Sequence, residues 1–525
     1  MDRLSLGIDI GSSGCKAVAL DQNRDVRGMA SVRYENTIIQ IAPGHYEQSM
    51  DVLKEAAFQC LRKIVSNLKK EEYIGCVSLT GQMHGMAAID EAGKPIRPMI
   101  SCVDSRNEIQ TRKLYDKIGG IEGILALTNN RMLSSCTGGK ILWMMEREPE
   151  NFKKTWCVLN PKDYVRFCLT GIQATDVSDA SGYGLYDTKN RKWSQTLLQR
   201  SGIPENILPE VYDSVEKAGR ISAQASQQTG IPEGTLVIAG GGDAVVQTVG
   251  TGGGIDGIYS IILGTGGLIS ASLKKFRINK EARLQIYSSV IRGQWVAYAG
   301  LLSVGAAIEW FKKCWFKNEE KECDGDIYRI MEKEALEVPA GSRGLIFYPT
   351  LMGQRNPVEN PSARGVLTGL SPVHERGHMY RAMLEGLAMG MKQAAESLTE
   401  ICGDIKKIHI SGGGAVSDLW CQIFADVFQK EIIRVRECAF CGAVASAVLG
   451  LSAMGVYKTE KEAFQKVSVE KSFFPNQKNK SLYENMYRSY EKIYPAMEDV
   501  FADIKTYEEA TEYEENNECT GKFCR

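Results

Sequence analysis

Two glycine-hinged turns, each set between apolar β-like runs, constrain this chain more than any other feature. The first is Leu6-Gly7-Ile8-Asp9-Ile10-Gly11-Ser12-Ser13-Gly14-Cys15-Lys16, and the second, far downstream, is Ile261-Ile262-Leu263-Gly264-Thr265-Gly266-Gly267. Each reads as strand, tight turn, strand. Glycine in a turn permits positive φ and lets backbone N–H groups face an anion at close range. Ser12, Ser13 and Thr265 add hydroxyl donors. Two such hairpins in one chain point to a triphosphate gripped from two sides. Between them lies Ala239-Gly240-Gly241-Gly242-Asp243, an acid lifted on a glycine run.

A chain of 525 residues exceeds what one core serves, so two large domains and an appendage are expected. The net charge of −1 supplies no basic field, which argues against nucleic acid or an anionic membrane as main partner. The N-terminal residues lack the charged start, apolar core and cleavage site of a signal peptide. The apolar run 442–456 is short and rich in glycine and serine, so it reads as a buried helix rather than a span. Fifteen scattered cysteines fit reduced thiols, and a cytoplasmic location is the expectation. Cys438-Ala439-Phe440-Cys441 is a CxxC without a second pair nearby, which makes a zinc or redox role a weak reading. Five histidines leave little for a histidine-rich metal site.

Strand patterns cover 4–20, 26–34 and 73–90, with helical periodicity at 49–69, 105–118 and 138–147. A second set begins with strands at 258–263, 268–273, 285–291 and 295–299, followed by helices at 302–316, 373–400, 416–428 and 441–454. Strands alternate with helices, as in an α/β fold. The two halves open alike, which reads as an internal structural duplication. The expected domains are 1–254, 255–457 and a helical extension 458–525 with a disordered acidic end. The glycine-rich 250–254 is the expected boundary and hinge.

Several stretches together resemble the FGGY family of carbohydrate kinases. Asp9-Ile10-Gly11-Ser12-Ser13 is similar to that family's first phosphate loop, Gly264-Thr265-Gly266-Gly267 to its second, and Gly412-Gly413-Gly414 to its adenosine loop. Residues 135–146, with Lys140 and Trp143, resemble the N-terminal signature, and 365–386 the C-terminal one. Within the family, 78–85, 160–164 and 176–182 look like xylulose kinases. Three departures bear on the sugar: Ala244 replaces an asparagine, Cys102 a tryptophan, and Gln354 a glutamate.

The resemblance implies two actin-like ATPase (ribonuclease H-like) domains with a cleft between them. It implies ATP-dependent phosphorylation of a terminal hydroxyl of a ketose such as D-xylulose, giving xylulose 5-phosphate. Another ketose, a sugar acid or a polyol-like signal is the alternative acceptor, and an actin-like scaffold or sugar sensor the non-enzyme alternative. The expected partners are a small sugar and ATP, with a homodimer as the oligomeric option.

Phosphoryl transfer needs in-line geometry, charge neutralisation and a group to take the hydroxyl proton. Asp243 is the expected base; capping of a following helix is the alternative role. By resemblance Asp9, with Asp243, holds Mg2+, whereas a plain turn aspartate is the alternative. Gly11, Ser12, Ser13, Gly264, Thr265 and Gly266 are expected on the phosphates. Lys16 would either neutralise phosphate charge or lie on an exposed edge. Gly412, Gly413 and Gly414 are expected at the nucleoside, with Asp418 and Cys441-Gly442 bordering adenine. Gln82, Met83 and His84 are expected to face the sugar, since amide and imidazole suit hydroxyls. Asp104 and Arg106 would bind hydroxyls or form a surface pair.

Overall fold

The computed structural model describes residues 2–34, 37–317, 327–356 and 358–522, with side chains described as far as residue 507. Two compact units divide the chain. The first comprises Met1–Ser260, Ser270–Tyr298 and Val435–Ser468; the second comprises Ile261–Ile269, Ala299–Arg434 and Val469–Arg525. The units are interleaved along the sequence.

The first sheet contains β1 (Asp2–Ile10), β2 (Gly14–Leu20), β3 (Val26–Arg33), β4 (Glu72–Gly81), β5 (Lys217–Arg220), β6 (Leu236–Ile238) and β7 (Gly241–Gly242). Its order is β5-β6-β4-β1-β2-β3, with β7 also paired to β4. The hairpin β1–β2 is antiparallel, and β1 pairs β4 in parallel, Asp9 opposite Thr80.

Alternation along β1 decides what each face packs against. Leu4, Leu6, Ile8 and Ile10 join the core of Phe58, Leu61 and Ile64 from the helix Met50–Val65. Ser5, Gly7 and Asp9 point the other way, toward the helix Cys441–Ala453. Ser5 Oγ donates to Ala447 O at 2.7 Å, and a Cβ on Gly7 would lie 2.0 Å from Ala443 O. Ser78 on β4 meets Ser446 on the same helix at 2.8 Å. Small residues on both surfaces let helix and sheet approach closely. The run 442–456 is thus a buried helix followed by a turn, as its composition suggests. Among the described residues no helix is long and apolar enough to cross a membrane.

The second sheet contains β8 (Ile258–Leu263), β9 (Gly267–Leu273), β10 (Gln285–Ser288), β11 (Trp295–Leu301), β12 (Lys407–Ser411), β13 (Glu431–Val435) and β14 (Val469–Phe473), in the order β10-β11-β9-β8-β12-β13-β14. In both sheets the first strand of a glycine-turned hairpin sits between its own hairpin partner and a strand from much later in the chain. This shared order matches the duplication read from the sequence.

The segment 250–254 is not an extended linker. It continues the helix Asp243–Thr248 as a π-helical turn, Val249–Gly253, in which only Gly252 has positive φ, 92°. A Cβ on Gly250 would lie 2.3 Å from Ala445 Cβ, so this glycine serves close packing rather than bending.

In the second unit the helix Lys480–Tyr490 packs against the helix Arg376–Cys402. Tyr483 donates to the fully buried Glu385 at 2.8 Å, and Tyr487 to Glu396 at 2.7 Å. A final helix spans Ile493–Lys522, and the side chains of the expected disordered end beyond 507 lie outside the described residues. None of the described cysteines forms a disulfide, and among the described residues no cluster of three or more metal-ligating side chains occurs, the CxxC included.

Candidate active site

The first turn is tied at its base by Gly11 N–H donating to Gly14 O at 3.0 Å, and Tyr34 OH donates to Gly11 O. Gln48, which carries no motif of its own, donates to Ser12 O at 3.1 Å and to Thr37 Oγ1 at 2.9 Å. Ser12 is half-buried and Ser13 exposed at the tip. Lys16 is neither an exposed edge residue nor loose. It sits half-buried on the inner strand β2, where Nζ donates to Ala439 O at 2.6 Å above the Phe440 ring.

Asp9 ends the small-residue face of β1. Gly442 lies against it, since any Cβ there would be 2.3 Å from Asp9 Oδ2. Burial pushes the Asp9 carboxyl up to about 6, opposed by the charge of Lys16. Asp243 begins the helix that follows β7, and its Oδ1 accepts from Ala244 N at 2.7 Å. The helix-capping contact therefore exists beside any other role. Burial pushes Asp243 up to about 7, and the negative charge of Asp9 adds to that rise. Both side chains retain some solvent contact although protein crowds them. A buried carboxylate whose pKa a neighbouring carboxylate raises further forms a setting that favours a cation or a proton.

Glycines bring the expected sugar-facing residues to Asp243. Gly242 carries no side chain where Met83 Sδ packs; a Cβ would be 2.6 Å from that sulfur. At Gly182 a Cβ would lie 3.2 Å from the His84 ring. His84 has φ of 69°, a costly conformation for a residue with a Cβ. Three contacts hold it there. Lys140 Nζ and Thr137 Oγ1 donate to its carbonyl at 2.8 and 3.2 Å, and its Nδ1 lies 2.9 Å from Gly182 O. A carbonyl only accepts, so Nδ1 carries the hydrogen. Lys140 is fully buried and also donates to Ser135 O at 2.7 Å; burial pulls its ammonium down to about 8. The signature lysine thus positions a histidine, a role that the sequence alone does not disclose.

Gln82 is buried, with its backbone N–H on Ile10 O at 2.8 Å and its Nε2 on Gln48 at 3.1 Å. Its Oε1 has no hydrogen-bond partner among the described residues. A buried orphan acceptor costs about 1–3 kcal/mol, which a ligand hydroxyl would relieve.

Asp104 and Arg106 are paired, but inside the protein rather than on its surface. Arg106 Nε donates to both oxygens of Asp104, at 3.0 and 2.9 Å, while Tyr46 N–H occupies Oδ2. Arg106 also reaches Glu47 at 2.9 Å and lies 4.9 Å from the Trp143 ring.

In the second unit two glycine loops meet at the ends of neighbouring strands. Gly264 and Thr265, exposed, follow β8. Their carbonyls accept from the helix Gly305–Trp315 and its lead-in: Gly305 N on Gly264 O at 2.9 Å, Val304 N and Ala306 N on Thr265 O at 3.0 Å each. Gly412, after β12, has φ of 92°, and a Cβ would strike Leu263 O at 2.4 Å. A Cβ on exposed Gly413 would meet nothing within 4 Å, so the backbone there is open to a ligand. Asp418 starts the next helix, with its carboxylate held by Arg434 at 2.8 Å and Lys471 at 2.5 Å. Those two cations hold it below the usual carboxylate range despite some burial.

A nucleoside triphosphate and a hard divalent cation both fit these residues. Mg2+ takes one or two carboxylates and completes its shell with water and phosphate oxygens, and Asp9 with Asp243 offers two. The open glycine backbone at Gly413 and the turns at Gly11 and Gly264 suit nucleotide contact.

The comparisons with known proteins agree. Residues 4–250 match the N-terminal domain of the FGGY family of carbohydrate kinases, and 259–454 match its C-terminal domain. The chain is 30% identical to a xylulose kinase of Bacillus subtilis over 96% of its own length and 99% of the relative's. It is 28% identical to a gluconokinase of the same species, covering 89% of this chain and 90% of the relative. A ligand-bound xylulose kinase and a gluconate kinase, both from Lactobacillus acidophilus, superpose with a TM-score of 0.85 at 24% identity, each covering 96% of this chain and all of the other. Both α/β domains thus have the actin-like ATPase fold, and this chain belongs to the FGGY family of carbohydrate kinases.

Proposed function

We propose that the protein transfers the γ-phosphoryl group of ATP to a terminal hydroxyl of a ketose, with D-xylulose as acceptor and xylulose 5-phosphate as product. The observation that carries this reading is the packing of Met83 on Gly242 and of His84 on Gly182, which sets the expected sugar-facing residues beside the loop that bears Asp243.

In this reading Asp243 takes the proton of the hydroxyl as its oxygen bonds to the γ-phosphorus and the bond to the β,γ-bridging oxygen breaks. A base with a pKa near 7 is matched to a reaction at neutral pH. Gln82 Oε1 accepts one sugar hydroxyl, the His84 imidazole faces another, and Met83 packs on carbon. Asp104 and Arg106 shape the wall beside Lys140 rather than offering a free carboxylate. Asp9 and Asp243 would hold Mg2+, which would supply charge neutralisation on the phosphate oxygens. The first turn and Lys16 act on the phosphates, the loop 264–266 likewise, and 412–414 on the nucleoside; Asp418 acts there only through Arg434 and Lys471.

A sugar acid is the second reading, favoured by the gluconokinase resemblance. Coupled ADP release with D-xylulose, ribulose, glycerol and D-gluconate separates the two. The ketose reading predicts the highest kcat/KM for D-xylulose. Turnover of gluconate with none of the ketoses would reject it.

A further inference from the structure

Behind the Asp243 loop lies a group of charges that the reaction as described does not use. Lys162 Nζ lies 2.6 Å from Asp163, 3.0 Å from Asp176 and 3.0 Å from Asp179. Arg166 reaches the same oxygen of Asp163 at 2.9 Å. All five side chains are fully buried. Three carboxylates against two cations leave one negative charge in excess, which so dry a place does not tolerate. Asp179 carries that excess: burial and the charges of Asp163 and Asp176 push its carboxyl well above the usual range, despite Lys162.

The cluster touches the catalytic loop in two places. Arg166 donates to Ala239 O at 2.9 Å, at the start of the glycine run. At its other end a relay runs from Lys162 to the residue before Asp243. Lys162 holds Oδ1 of Asp176. Oδ2 of Asp176 accepts from Ser178 N–H at 2.7 Å and from its hydroxyl at 2.5 Å. With its hydrogen so committed, Ser178 Oγ accepts from Gly242 N–H at 2.9 Å. Gly242 and Gly241 are further fixed by pairing with Gly81 and Thr80 of β4. A glycine run is the most mobile backbone available, and here buried charges clamp both its ends.

We propose that Ser178, anchored through Asp176 on Lys162, is a positioning residue that sets the direction of the Asp243 carboxylate. This rests on the reading of Asp243 as the base. The groups facing Asp243 are Asp9 from β1 and the Ala244 N–H of its own helix; Lys162, Arg166, Asp163, Asp176 and Asp179 stand behind the loop. Freeing Gly242 misaims the carboxylate, so the rate falls while substrate binding holds.

The test compares Ser178→Ala and Ser178→Thr with the parent, using D-xylulose and ATP or whichever acceptor the substrate panel selects. Ser178→Ala should lower kcat about 10–100-fold, the scale of a small misplacement of a catalytic group. KM for acceptor and for ATP should stay within about twofold. Ser178→Thr, which keeps the hydroxyl, should restore most of the rate. Where Ser178→Ala does not fold, Ser178→Cys, with a poor acceptor of similar size, gives the same readings. An unchanged kcat, a KM that moves as far as kcat, or a lowered kcat that Ser178→Thr does not restore, overturns the proposal. Asp243→Asn run alongside separates the two ideas: its near-normal turnover would reject Asp243 as base, whatever Ser178 does.

Discussion

Gly442 leaves no room for a side chain beside Asp9: a Cβ there would sit 2.3 Å from Oδ2 of the carboxylate and 3.3 Å from Gln247 Nε2. The helix Cys441–Ala453 and β1 are separated by more than 400 residues of sequence, yet Gly7 and Ser5 bring them together along one face. The carboxylate at the end of that face is consequently held by backbone on one side, with Lys16 acting on it through charge.

Gly442→Ala should displace the Asp9 carboxylate. Alanine favours the helix by about 1 kcal/mol over glycine, so the fold should survive while the site suffers. The expected result is at least about a tenfold loss of turnover, since small displacements are costly at a reacting centre. More Mg2+ should be needed for half-maximal rate, with circular dichroism unchanged. A variant with parental Mg2+ dependence and parental turnover would show that Asp9 does not hold the cation.

Asp243→Asn should trade activity for stability. Loss of a general base costs about 10²–10⁴-fold in rate. The folded-state pKa of Asp243, about 7, exceeds its unfolded value of 3.8. The folded state therefore binds the proton more tightly, and stability from this group falls as pH rises from about 4 through 7. Asparagine removes that cost. Its melting temperature should exceed the parent's at pH 8, and the difference should vanish near pH 4. An equal or lower melting temperature at pH 8 would show that the folded protein does not oppose ionisation of Asp243.

Much of this arrangement is legible in the sequence because it is local. The hairpin β1–β2, the strand β8 with its turn, and the loop 412–414 each announce themselves through glycine between apolar runs. The buried cluster does not. Asp163, Asp176 and Asp179 are residue types that normally face water, and only the fold reveals that Lys162 and Arg166 neutralise them. The glycines at 250–254 are ambiguous for a related reason. Sequence shows that a glycine lacks a Cβ, but not whether the vacancy serves motion or, as at Gly250, contact with Ala445. Gln48 and Thr137 act through hydrogen bonds to groups distant in sequence, a signal that no spacing rule carries.

The pH dependence of turnover follows from the same two carboxylates. Asp243 acts only when ionised, so kcat should climb with pH to a plateau above about 7. Asp9 contributes to that value because its negative charge raises the Asp243 pKa. Asp9→Asn should lower the plateau at saturating Mg2+ and ATP, and in the Mg2+-free protein it should lower the pKa of Asp243, read by NMR titration. A pKa that stays in place would show that the two carboxylates are not coupled.

Neighbouring glycines in the second unit should respond in opposite ways. Gly412 has φ of 92°, a conformation that side chains rarely adopt, and a Cβ there would collide with Leu263 O at 2.4 Å. Leu263 leads directly into Gly264 and Thr265, so a collision at 412 disturbs both loops at once. Gly413 has ordinary φ, and a Cβ on it meets no protein atom within 4 Å. Gly412→Ala should therefore weaken ATP binding and lower the melting temperature. Gly413→Ala should leave folding intact, because nothing in the protein opposes it. Its effect should fall on the nucleotide alone: if adenosine lies against this backbone, the added methyl raises KM for ATP several-fold without moving KM for the sugar. Parental KM for ATP in Gly413→Ala, alongside a defective Gly412→Ala, would place the nucleoside away from 413 and leave Gly412 as a purely structural turn.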